Sequence, residues 1–395
     1  MGLLNRLKIS ENRKYIENVL FVLILTLIGF CARFSMFPKE SGDYLTFLKV
    51  WYNQLADNGG FRAVGMNIGD YMPTYYYILA FLTYLPVEPL VGIKMVSCIA
   101  DLIMACLGYK IVHEMTGSVN RGVAAYGVLF FMPSVIIDSA AWAQCDSIFT
   151  LFIVASVYCL IRDNDWGAAI CFSVSFVFKI QAIFFAPVLL VLLLKGKIRL
   201  RALSALPIVH LISIVPALIA GGDFADLMTV YFRQPYQYAQ LNMYIQNAWG
   251  LLMDVDSYEL ARAGVYFAGG VVLIAVFLIY RCKFEINAPI ILAMSGMFTL
   301  LVPFVLPHMH ERYYYPVAVI TAIFAVVNIK KFWMFLIMEF CLFQAEAHNL
   351  FGQNAMDFNF SVLMVTLVLV WYFKTMYDII KQQKIEQTAV CQNDE

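Results

Sequence analysis

Charge is scarce in this chain: 14% of its 395 residues are Asp, Glu, Lys or Arg, against about 25% in soluble domains. Acidic and basic residues number 27 each, so there is no net positive field to draw a nucleic-acid partner. Strand-like alternation is also missing. Val19–Phe30, Val188–Leu194 and Val362–Val370 are continuous apolar runs broken only by Thr26 and Thr366, which excludes the alternating pattern of a membrane β-barrel. The nine cysteines form no CxxC pair, and most lie inside apolar runs (Cys31, Cys98, Cys106, Cys159, Cys171, Cys341). They read as small hydrophobes, not as disulfides or metal ligands. No internal repeat and no low-complexity linker divides the chain. Arg6, Lys8, Arg13 and Lys14 precede the first apolar run, and no small-residue cleavage site follows it. Residues 16–37 are therefore expected to remain as a first membrane span.

What the chain has in excess is apolar surface: 62% hydrophobic residues, with 32 Phe and 23 Tyr, and a mean hydropathy of +0.75. An all-α integral membrane fold follows, because only helices and closed barrels satisfy their backbone within lipid. Apolar segments of spanning character fall at residues 16–37, 89–112, 122–137, 147–161, 167–180, 181–194, 202–220, 263–281, 288–306, 313–328, 332–344 and 359–376. The expectation is a single membrane domain of about twelve transmembrane helices over residues 1–380, with a disordered cytoplasmic tail over 381–395. Thr74–Pro86 is apolar but short, and orientation decides its status. Treated as non-spanning with the N-terminus inside, it leaves most basic residues, including the cluster Lys195–Arg201, on the cytoplasmic side. Counted as a span, it sends that cluster outside, against the positive-inside bias. The first arrangement puts both termini in the cytoplasm of a multi-pass inner-membrane protein. It leaves two long extracytoplasmic loops, 38–88 and 221–262, apolar enough to lie on the membrane as amphipathic helices.

The polar motifs gather on that outer side. SGDYLTFLKVWY (Ser41–Tyr52) follows the first span and places Asp43, with Tyr44 beside it, at the interface. There a partly dehydrated carboxylate can act as a general base, although Ser-Gly-Asp before an apolar run is also ordinary capping chemistry. NIGDYMPTYYY supplies Asp70, Tyr71 and a tyrosine cluster, suited to a sugar platform or to an interfacial belt. SAAWAQCDS, between two spans, offers Gln144 and Asp146, with Asp146 a better candidate than Asp138. FKIQAIFFAP carries Lys179 and Gln181. A cation placed outside can snorkel or meet an anionic group such as a lipid phosphate. HMHERYYYP is the densest cluster. Arg312 offers a planar fork matched to phosphate oxygens, His310 can donate or orient it, and Glu311 can neutralise it. The HxHE spacing matches no established zinc pattern, so no metal is assigned. The stretch Tyr231–Asn247 is aromatic and amide-rich, suited to carbohydrate or to a polar surface helix.

A reaction that uses a base, phosphate-binding cations and sugar-binding surfaces beside lipid is glycosyl transfer from a polyprenyl-phosphate sugar. At this point the chain resembles the GT-C superfamily of membrane glycosyltransferases. Within it, the chain is most similar to bacterial mannosyltransferase-like proteins related to the GPI-anchor second-mannose transferase. The resemblance rests on SGDY with FLKVWY, GDYMPTYYY, WAQCDS, FKIQA and HMHERYYYP, spread over residues 33–316. It implies a helical bundle with membrane-surface helices in the first outer loop and Asp43 as the base. It also implies a dolichyl- or undecaprenyl-type phosphosugar donor, inversion at the anomeric carbon, and Asp146 beside the site. The acceptor would be a cell-surface glycan or lipid-linked hydroxyl. Ala143 stands where that family tends to carry glycine. Metal use varies in the superfamily, and no cofactor is carried over. The rival readings are a flippase for lipid-linked sugars, suggested by Asp101 and Glu339 within spans, a polysaccharide polymerase or ligase, and a structural membrane subunit.

Overall fold

The computed structural model describes residues 2–233, 240–252 and 255–393. It is 78% helical. The described strands are two short pieces, β1 (Asn242–Met243) and β2 (Met309–His310), paired in parallel.

The helices run in this order. The first membrane helix is α1 (Gly2–Phe34). The segment after it holds a π-helical turn (Tyr44–Leu48), α2 (Lys49–Asp57) and α3 (Pro73–Leu82). Then come α4 (Pro89–Thr116), α5 (Val119–Phe131) and α6 (Pro133–Ile136), the last continued by a second π-helical turn (Ile137–Trp142). Next are α7 (Asp146–Ile161), α8 (Asp165–Phe178), a 3₁₀ turn (Ile180–Phe185), α9 (Ala186–Leu194), α10 (Ala205–Ile219) and α11 (Phe224–Arg233). The chain closes with α12 (Tyr258–Arg281), α13 (Ala288–Val305), α14 (Tyr315–Val327), α15 (Phe332–Phe351) and α16 (Phe358–Asn393). Residues 381–393, expected from the sequence to be a disordered tail, continue α16.

Among the described residues six helices are long and apolar enough to cross a bilayer: Ile16–Phe34, Pro89–Thr116, Leu200–Ile219, Tyr258–Arg281, Ala288–Val305 and Phe358–Glu386. Val119–Phe131 and Pro133–Trp142, bent by 50° at their junction, make a seventh if counted as one broken span. Pro133 causes the break, since it lacks an N–H and forces the residue before it out of helical conformation. Four further apolar helices are shorter: Asp146–Ile161, Asp165–Phe178, Ile180–Leu194 and Tyr315–Val327. Length therefore marks six or seven spans, fewer than the twelve that hydropathy suggests, because several apolar segments fold as helices of only 13–16 residues. α3 has ten residues, about 15 Å of rise, half the hydrocarbon thickness.

Burial sorts these helices into an inner and an outer set. α13 is 83% buried and the apolar part of α1 only 11%. α13 and α14 thus form the protein core with α4 and α7, while α1, α10 and α12 turn large apolar side chains outward. Such exposure has no place in water but is natural against lipid. The cysteines follow the same division: Cys98, Cys145 and Cys341 are buried, whereas Cys31 and Cys106 face outward.

Ionisable groups inside the bundle are held in place. Arg33, fully buried, donates to Asp101 Oδ2 through Nε at 3.0 Å, and its Nη2 lies 3.0 Å from the same oxygen without hydrogen-bond alignment. Its Nη1 donates to the carbonyls of Phe130 (3.0 Å) and Gly29 (3.2 Å), and Ser139 donates to the same Asp101 oxygen at 2.7 Å. Lys94 donates to the carbonyls of Met36, Phe37 and Lys39 at the end of α1. Glu339 accepts from the Ser134 backbone N–H (2.8 Å) and hydroxyl (2.7 Å), which satisfies the start of α6 where Pro133 breaks the chain.

Candidate active site

Several chain segments distant in sequence meet at one cavity of about 570 Å³. It is lined by Asp43, Asp70, Tyr71, Gln144, Lys179, Gln181, His308, His310, Glu311 and Arg312, with Trp51, Phe47, Ile183, Phe184, Val265 and Leu306 among its apolar walls. Most of the polar residues expected from the motifs are thus brought together. Tyr44 and Asp146 are not on the lining.

Local geometry removes the capping reading of Asp43. The residue that caps the Tyr44–Leu48 turn is Ser41, whose Oγ accepts from the Tyr44 N–H at 3.1 Å. Asp43 makes no capping bond. Its Oδ2 instead accepts from Trp142 Nε1 (3.1 Å) and Gln144 Nε2 (2.5 Å) and lies 3.6 Å from Arg312 Nη1. One third of the Asp43 side chain is exposed. Tyr44 is buried, with its ring 5.8 Å from the Lys49 ammonium.

Arg312 is the hub. Its Nη1 donates to Glu311 at 2.8 Å, its Nε lies 2.9 Å from Asp146 Oδ2, and its Cζ sits 5.2 Å over the Trp142 ring. Among the described residues no hydrogen bond or ion pair involves its Nη2. Lys179 is buried, bonded to the other oxygen of Asp146, so Asp146 lies just behind the cavity and holds both cations. A buried cation without such a partner would be costly, and Asp146 supplies one to each. Burial alone would raise the Glu311 carboxyl, but the neighbouring His310 imidazole and the Arg312 charge outweigh it and hold it at about 2. Glu311 is therefore an anion at any ordinary pH. His310 Nδ1 is 3.7 Å from Glu311 Oε2.

The backbone of this region is unusual where the side chains need it to be. His308 has φ 59°. Its N–H donates to Leu241 at 2.8 Å, and its Nδ1 lies 2.6 Å from the Gln240 carbonyl. With the β1–β2 pairing, this ties residues 240–243 to HMHERYYYP. Residues 234–239 of the amide-aromatic stretch lie outside the described residues. Ala143 has φ 67° and ψ 29°, a conformation that glycine adopts freely and alanine at a cost. That explains why a related motif would carry glycine there. Among the described residues no group of three or more His, Cys, Asp or Glu side chains is placed to hold a metal.

Sequence reasoning passed over several groups. Trp142 touches both Asp43 and Arg312. Asn349, at the end of α15, lines the cavity, and its only signal was the polar run AEAHN after apolar residues. Asp138 and Glu346 are fully buried and have no hydrogen-bond partner among the described residues.

Fold and site together define a polytopic helical membrane protein with a carboxylate, a guanidinium and an ammonium at the edge of its bundle. The family model of glycosyltransferase family 87 matches residues 71–307, and the chain belongs to that family. It is accordingly a membrane glycosyltransferase, which takes a sugar donor and an acceptor. The match takes in Tyr71, Gln144, Asp146, Lys179 and Gln181, and stops short of Asp43 on one side and Arg312 on the other. No curated protein matches the chain.

Proposed function

We propose that this glycosyltransferase moves a mannose-like hexose from a polyprenyl-phosphate sugar to a hydroxyl of a cell-surface glycan or lipid-linked acceptor, with inversion, on the extracytoplasmic side of the inner membrane. The observation that carries the reading is the approach of Asp43 to Arg312, 3.6 Å apart at one cavity, although they lie far apart in sequence. Asp43 takes the proton of the attacking hydroxyl. Arg312, with Lys179 and His310, stabilises the phosphate as it leaves. Asp146 and Glu311 keep the two cations charged and aimed, and Asp70, Tyr71 and Gln181 form the sugar-facing wall.

Apolar walls at Phe47, Ile183 and Val265, each partly open to the outside, suit a donor whose tail stays in lipid. With the termini in the cytoplasm, the positive-inside bias is met by the basic residues of the connecting loops, the cluster Lys195–Arg201 among them. The twelve-span arrangement follows if the bent pair, the four shorter helices and α15 cross along with the six long ones. Asp101 and Glu339, the two charges within spans that suggested a transport path, are both engaged by protein groups.

The test is incubation of the purified protein in lipid nanodiscs with a panel of polyprenyl-phosphate hexoses and a hydroxyl acceptor. Release of free polyprenyl phosphate, absent with Asp43→Asn, is the expected result. No release from any donor, or equal release by the variant, would refute the reading.

A further inference from the structure

The second π-helical turn ends at the site, and what it does there goes beyond the identity of the base. Ile137–Trp142 is wound as a π turn and closed by Ala143 in the left-handed region, with the Gln144 N–H returning to the Asp138 carbonyl at 3.0 Å. π turns are rare and recur at functional sites because they re-aim side chains that a regular helix would disperse. Here the re-aiming sets the Trp142 indole N–H and the Gln144 amide on one oxygen, Asp43 Oδ2. The carbonyls on both sides of Ala143 are tied down as well. Ser41 Oγ donates to the Trp142 carbonyl (2.6 Å), and Ser97 Oγ donates to the Gln144 carbonyl (2.6 Å). Ser41 is also the residue that caps the turn beginning at Tyr44. One hydroxyl therefore fixes the spacing between the turn that carries Asp43 and the turn that grips it.

We propose that Trp142 and Gln144 are positioning residues that hold Asp43 by Oδ2 and leave Oδ1 as the oxygen that receives the acceptor's proton. The proposal rests on the reading of Asp43 as the base. Oδ2 has two N–H donors and a guanidinium beside it. Among the described residues Oδ1 has no partner. A carboxylate so held cannot rotate its occupied oxygen toward the acceptor without breaking two hydrogen bonds, at least one of them charge-assisted on the carboxylate side. In the step itself the acceptor O–H proton passes to Oδ1 while its oxygen bonds the anomeric carbon. The bond from that carbon to the phosphate oxygen breaks, and its electron pair leaves on the phosphate. Trp142 also stacks beneath Arg312, so the same indole sets the base and the guanidinium relative to each other.

The experiment measures kcat and donor KM for Trp142→Phe, which keeps a ring under Arg312 and removes the indole N–H, and for Gln144→Met, which keeps length and removes the amide. Each should lower kcat about 5–10-fold and the double variant about 30–100-fold, as expected for hydrogen bonds to a charged group. Donor KM should stay within about twofold, since neither side chain is assigned to the donor. Melting temperature reports whether Trp142→Phe folds, and Gln144→Met carries the test if it does not. An unchanged kcat in the variants, or a loss confined to KM, would overturn the proposal. Asp43→Asn run alongside separates the two ideas. If that variant is active, the base assignment falls. If it is inactive while Trp142→Phe and Gln144→Met turn over normally, only the positioning role falls.

Discussion

Arg33 and Arg312 are both buried arginines paired with aspartates from a distant part of the chain, and they are built for opposite ends. Around Arg33 every partner is protein: Asp101 twice, two backbone carbonyls, and a serine that finishes the aspartate. Both side chains are fully buried, and the Phe130 ring lies 4.1 Å from the guanidinium. Around Arg312 three carboxylates crowd one side, Nε meets Asp146 at 2.9 Å without hydrogen-bond alignment, and the remaining edge borders a cavity. A sealed pair joins α1 to α4 and supports the bundle. An open pair beside the cavity is the one the proposed function assigns to a substrate phosphate. Neither burial nor hydrogen bonding separates the two, because both arginines are buried and each has one nitrogen without a hydrogen bond. Access does.

Breaking each pair should therefore give different phenotypes. Arg33→Met leaves Asp101 as an uncompensated buried charge and should cost about 3–5 kcal/mol. Thermal melts and folded yield in detergent should both fall, while the surviving folded enzyme keeps its turnover number. A drop in turnover at unchanged stability would place Arg33 in the wrong class. Arg312→Lys keeps the charge and loses the planar fork. Its expected loss is about 10²–10³-fold in kcat, the scale for removing a donor to developing charge, with a melt close to the parent's. Glu339→Gln tests a second sealed contact. The Ser134 N–H keeps an acceptor but loses an anionic one, for about 1–2 kcal/mol of stability and no kinetic effect. Ala143→Gly should have the smallest effect, since relief of the left-handed strain and loss of a buried methyl oppose each other. A net gain of about 1 kcal/mol or less is expected in the melt. A clear loss would show that methyl packing dominates.

The same contrast explains what could be read from the sequence. Charges are so sparse here that clusters such as HERYYYP and QCDS stand out, and their placement at turns between apolar runs marked them as one outer surface. Asp43, Asp146, Lys179 and Arg312 were legible for that reason. The Arg33–Asp101 pair was not, because Arg33 sits at the end of a span where flanking cations are common, and its partner lies on another helix at no fixed spacing. Trp142 was hidden too: an aromatic at a membrane turn looks like a belt residue, and nothing in SAAWAQCDS announces a π turn. The fold class followed directly from apolar run length. The number of spans did not, since helices such as Asp165–Phe178 are shorter than a bilayer and only their tilt and surroundings decide whether they cross.

The most direct test of the account compares donor affinity with turnover in Asp43→Asn. If Asp43 acts only on the acceptor proton while Arg312 and Lys179 hold the phosphate, the variant should bind a polyprenyl-phosphate sugar with a Kd within about threefold of the parent's. Its single-turnover rate should fall by about 10²–10⁴. Turnover at the parent's rate, or loss of donor binding in step with loss of rate, would contradict it.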